Sequence, residues 1–147
     1  MLPDTSARVP SQTSKGVNRR IADDTAKSVR WHARHPDAIP YRLRELDAEW
    51  DIERTLEANA AALAFTGTLL GAFVDRRFLG IPGVVAAFLL QHAVQGWCPP
   101  VPVFRRFGIR TREEIDQERY ALKVLRGDFV KGESLPRAEA ALEAVRA

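Results

Sequence analysis

Few side chains in this sequence combine reactive chemistry with a telling position. Cys98 is the only cysteine, set in Gly96-Trp97-Cys98-Pro99-Pro100 a few residues before Arg105 and Arg106. A thiolate there could ligate haem, accept sulfur or act as a redox thiol, given a positive neighbour to keep it ionised. The plainer role is a small residue at a helix end that lets a Pro-rich turn fold back. His92 stands between Gln91 and Gln95 in an otherwise apolar run. Such an imidazole is a candidate haem or metal ligand or a proton carrier, although without a partner residue structural hydrogen bonding is the simpler role. His32 and His35 share a polar, Pro-flanked segment and read as surface residues. Gly67-x-x-x-Gly71 has the small-xxx-small spacing that lets helix backbones approach closely, and Gly83 and Ala87 offer a matching surface. That stripe serves either packing within one chain or self-association as a homodimer. A Ser/His/Asp arrangement, a phosphate loop and a paired-carboxylate motif are all missing from the sequence, and one cysteine cannot build a Cys-rich zinc site. The expectation is no cofactor, no metal and no enzyme.

The elements that would position these residues follow from charge and periodicity. The chain has 147 residues, 22 basic against 19 acidic, with nine prolines and nine glycines. Residues 1–40 read as a flexible polar arm broken by Pro3, Pro10, Pro36 and Pro40, with a short helix over about Val17 to Trp31 as an option. The start lacks the apolar core of a secretory signal. Over residues 41–57, Leu43, Leu46 and Trp50 with Ile52 and Leu56 form one stripe among charged residues, which predicts an amphipathic interfacial helix running straight into the next segment. Residues 58–104 hold two charge-free runs, separated only by Asp75, Arg76 and Arg77. Pro82 fits the first turn of the second helix and Pro99, Pro100 and Pro102 stop it, so the spans should cover about 58–75 and 80–98. Residues 105–147 form a helical tail. Thr111 and Glu114 make a capping box there, Ile115, Leu122, Leu125 and Phe129 an apolar face, Gly127 a stop, and an Ala-rich helix follows Ser134-Leu135-Pro136.

A soluble helix normally carries charge on one face, and these two carry none on any face. In lipid, a helix satisfies its own backbone hydrogen bonds, so an apolar surface all round is what that solvent demands. The first run has six large apolar residues at about −0.3 to −0.6 kcal/mol each, hence roughly −2 to −4 kcal/mol before Asn59 and two threonines subtract from it. Each helix alone is marginal, which favours insertion as a pair. The fold class expected is all-α: an integral membrane two-helix transmembrane hairpin flanked by amphipathic cytoplasmic helices. Arg42, Arg44, Arg54, Arg105, Arg106, Arg110 and Arg112 flank the outer ends of the hairpin, against Arg76 and Arg77 in its turn. The positive-inside rule then places both termini in the cytoplasm, with Trp50, Trp97, Arg105 and Arg106 as anchors at an anionic lipid surface. Acidic residues interleave with the basic ones, so lipid rather than nucleic acid is the expected polyanion.

The stretch Gly96-Trp97-Cys98-Pro99 through Arg106-Phe107-Gly108-Ile109-Arg110-Thr111, preceded by two apolar runs, resembles the YgaP-like transmembrane domain family. The likeness covers about Leu56 to Thr111 and rests on Gly96, Cys98, Pro99, Gly108, Ile109 and Thr111. It implies a membrane hairpin closed by a Gly-x-Cys-Pro signature. Some relatives carry a rhodanese sulfurtransferase, but no rhodanese active-site loop is visible in this sequence, so that activity does not carry over. The resulting expectation is a small non-enzymatic inner-membrane protein, multi-pass, serving as a scaffold or accessory subunit for an unidentified cytoplasmic protein. Two other readings are a membrane thiol, sulfur or haem-linked redox module using Cys98 and His92, and a soluble helical oligomer.

Overall fold

The computed structural model describes residues 7–129 and 138–144. Among them every regular element is helical. The chain divides into two compact units, one of residues 1–17 and 51–109, the other of residues 18–50 and 110–147.

The first unit is built around a helical hairpin. Asp51 caps helix α4 (Ile52–Phe73), its carboxylate accepting from the Arg54 N–H at 2.8 Å. At the far end the Asp75 carboxylate accepts from the Arg77 N–H and starts a 3-10 turn, Arg76–Leu79. That turn feeds α5 (Gly80–Gln95) directly, with Pro82 in its first turn as expected. Glycine sets the spacing within the hairpin. A Cβ on Gly67 would lie 2.7 Å from the Cβ of Ile81, and one on Gly71 would lie 2.5 Å from Leu79 Cδ2. The small-residue stripe of α4 is therefore filled by the chain's own second helix at Gly67 and by its 3-10 turn at Gly71. Gly83 does not meet it, because a Cβ there would face open space, and Ala87 is exposed as well. Polar side chains on α4 turn back onto their own helix: Asn59 Nδ2 donates to the Thr55 carbonyl and Thr68 Oγ1 to the Ala64 carbonyl, each at 2.8 Å.

Helix α5 ends at Gln95, three residues short of the expected Cys98. Gly96 adopts φ +73° and its N–H caps the His92 carbonyl at 2.7 Å, so the left-handed residue stops the helix before the prolines do. At this end two short helices, α1 (Arg8–Gln12) and α6 (Val101–Arg106), join a small core of Val9, Ile52, Leu56, Cys98 and Val101.

The second unit corrects two expectations. The N-terminal segment is not simply a polar arm, since α2 (Lys15–Arg34) is a 20-residue helix with Ile21, Ala26 and Val29 buried, and with them His32, a residue expected at the surface. Nor does the amphipathic stretch run unbroken into the hairpin. Helix α3 (Ile39–Ala48) ends before Asp51 opens α4. Its apolar face (Ile39, Leu43, Leu46) packs into a protein core rather than onto an interface, together with Ala26 and Val29 of α2 and with α7 (Arg112–Arg126) and α8 (Ala138–Ala144). Helix α7 begins with the expected capping box of Thr111 and Glu114 and ends at Gly127, φ +87°. Ile115, Leu122 and Leu125 form its buried face, while Phe129 is exposed. Ser134, Leu135 and Pro136 lie outside the described residues.

Candidate functional site

The expected thiol and imidazole both lie at the outer end of the hairpin, away from its turn, and both are enclosed. Cys98 is packed among Val9, Ile52, Leu56 and Val101. Burial pushes its thiol up from the ordinary value, against a smaller opposite pull from the Val101 backbone N–H. A reactive thiolate needs the reverse environment, exposed and electropositive. Arg105 does not supply it through an exposed guanidinium: it is 0% exposed, with Nε donating to Thr13 Oγ1 at 3.2 Å and Nη1 to the Ile109 carbonyl at 3.1 Å. This also corrects its expected role as an anchor at the lipid surface.

His92 is 6% exposed, and neither ring nitrogen meets a hydrogen-bond partner among the described residues. Arg8 lies against this end of the helix, its Nη1 donating to the Ala93 carbonyl at 3.0 Å. The Arg8 guanidinium also lies 3.9 Å from the Glu53 carboxylate. No hydrogen bond joins His92 to Cys98, and no group of three His, Cys, Asp or Glu among the described residues could hold a metal ion. Of the other expected anchors, Trp50 and Arg106 are exposed and Trp97 is half-buried.

The most concentrated electrostatics is in the second unit, around Glu118, a residue not among those expected from the sequence. Glu118 falls on the buried face of α7, between Ile115 and Leu122, and is 0% exposed. Its Oε1 accepts from Ser28 Oγ at 2.6 Å and Arg42 Nε at 2.8 Å. Its Oε2 accepts from Arg42 Nη2 at 3.1 Å and Arg110 Nη1 at 2.5 Å. Arg110 in turn forks onto Glu49 at 2.8 and 2.6 Å. Burial alone would raise the Glu118 carboxyl. The hydrogen bonds from Arg42 and Ser28 and the Arg110 charge outweigh that and hold it below the usual carboxylate range.

An ionised carboxylate offers about four lone-pair positions, and four donors fill those of Glu118. No position is left to take a proton from a substrate, so the group works as a clamp joining α2, α3 and α7. The sequence signal was present as an acidic residue in register with Ile115, Leu122 and Leu125.

The class these observations define is a chain all-helical among the described residues, in which two helices, within Pro36–Phe73 and over Arg76–Gln95, are long and apolar enough to cross a membrane. Comparison with protein-family models, with curated proteins and with solved structures returns no match.

Proposed function

We propose that this chain is an integral membrane protein whose hairpin anchors a small helical unit, acting as a non-enzymatic scaffold or accessory subunit. One observation carries the reading. Only 17% of the apolar window within Pro36–Phe73 and 6% of that within Arg76–Gln95 is buried. Helices of this composition in a soluble protein form the core, whereas here Phe73 (84% exposed), Leu90 (68%) and Val84 (57%) point outward from the hairpin. Acyl chains cover such a surface without any further protein.

The resemblance to the YgaP-like family supports the same placement. The flanking arginines favour the inner membrane with both outer ends of the hairpin cytoplasmic. The filled lone pairs of Glu118 and the enclosed Cys98 and His92 favour a binding role over chemistry. A cytoplasmic protein partner then docks outside the hairpin. A homodimer in the membrane would have to use the open faces of Gly83 and Ala87, because Gly67 and Gly71 are occupied.

Alkaline carbonate extraction of membranes from expressing cells tests the placement. The chain should stay in the pellet and leave it only with detergent. Release as a defined oligomer would favour the soluble-oligomer reading, and release as a stable monomer would overturn both. Visible absorbance of the detergent-purified protein would instead favour the haem-linked reading of Cys98 and His92.

A further inference from the structure

We infer that the hairpin is matched to a bilayer markedly thinner than the usual one, so that its preferred partner is lipid with short acyl chains. The inference rests on the membrane reading above and deepens it. Helices α4 and α5 are held in register by Gly67 against Ile81 and Pro82, and by Gly71 against Leu79. Eight residues from the first of these contacts toward the outer end of the hairpin, away from its turn, about 12 Å at 1.5 Å per residue, lies Asn59 on α4. The same distance along α5 reaches Leu89 and Leu90, the last residues before Gln91.

The two antiparallel helices thus acquire carboxamides at the same level, Asn59 exposed and Gln91 half-buried. Exposed Glu57 follows on one helix and exposed Gln95 on the other. At the tip the polar boundary is Asp75, Arg76 and Arg77, flanked by exposed Phe73 and Phe78. Between these two boundaries, residues 60–73 of α4 rise about 21 Å and residues 78–90 span about 20 Å. The hydrocarbon core of a typical bilayer is about 30 Å. The apolar zones of the two helices fall short of that by about the same amount, although the helices themselves run on past them, and this agreement separates a matched length from one irregular helix.

A hairpin this short can sit in a thicker membrane only if the bilayer thins around it or its polar ends are pulled into hydrocarbon, and the cost rises with each ångström of mismatch. The test is flotation of the 147-residue chain, refolded from detergent, with phosphatidylcholine vesicles bearing myristoleoyl, oleoyl or erucoyl chains. Alkali-resistant insertion is expected to be about tenfold greater into the myristoleoyl than the erucoyl vesicles. The variant carrying Glu57→Leu, Asn59→Leu and Gln91→Leu lengthens the apolar zone by about one turn, 5.4 Å, and should move the optimum to the oleoyl vesicles. Equal insertion across the series, or an optimum at the longest chain, would overturn the thickness inference and leave the membrane placement standing. Failure to float with any of the three would overturn the placement itself.

Discussion

Glu118 shows what a charge in an apolar stripe requires. Removing its carboxylate leaves Arg42 and Arg110 turned toward a vacancy, and breaking a buried ion pair from one side costs about 3–5 kcal/mol. Glu118→Ala should therefore unfold the second unit at a correspondingly lower urea concentration, read by far-ultraviolet circular dichroism. The same carboxyl sets a pH dependence. An unfolded glutamate titrates near about 4.3 and the folded one lower, so between those values the unfolded chain holds more protons and stability rises with pH. The contribution is complete above the ordinary value and is lost as the pH falls through the depressed one. Glu118→Gln should flatten that acid limb of the stability profile. The one sequence mark of position 118 is an acid in line with Ile115, Leu122 and Leu125, which by itself does not separate a buried clamp from a solvated residue. Its partners carry no such mark, because Arg42 lies 76 residues away and nothing local marks it apart from the arginines that stay exposed.

Helix ends were read with uneven success, and the reasons differ. The capping box at Thr111 and the stop at Gly127 are local devices, complete within a few residues, and stand where expected. The hairpin turn was legible because charge interrupts the apolar runs only there. Helix α2 was legible only as an optional short helix over about Val17 to Trp31, since Ile21, Ala26 and Val29 make a thin stripe that becomes a core face only once α3 and α7 supply the opposite wall. The end of α5 falls three residues before the expected Cys98 because the left-handed Gly96 stops the helix ahead of the prolines. Gly96→Ala tests that end directly. A side chain there meets a left-handed φ and a Cβ position 2.6 Å from the Arg8 backbone, for a loss of about 2–4 kcal/mol. Limited proteolysis should then cleave near α1, while the parent chain resists.

For the molecule as a whole, the burial of Cys98 offers a clean topological assay. The native thiol should be alkylated only after denaturation, so Val74→Cys, at an exposed position beside the charged turn, introduces the single reactive thiol. An impermeant maleimide added to intact spheroplasts should label that variant and leave the parent chain unlabelled. Labelling only after lysis would place the turn on the cytoplasmic side. The all-helical build and the paired apolar runs could be read from the sequence. The division into two units could not, because it depends on segments far apart in the chain sharing one core. The second unit takes residues 18–50 from before the hairpin and residues 110–147 from after it. As the ribosome emits the chain, α2 and α3 therefore appear first and wait with their core faces uncovered until α7 follows. The hairpin emerges in that interval, so under the membrane placement proposed above its delivery to lipid would precede closure of the second unit, and a chain stalled after residue 109 would expose Leu43 and Leu46 to chaperones and proteases.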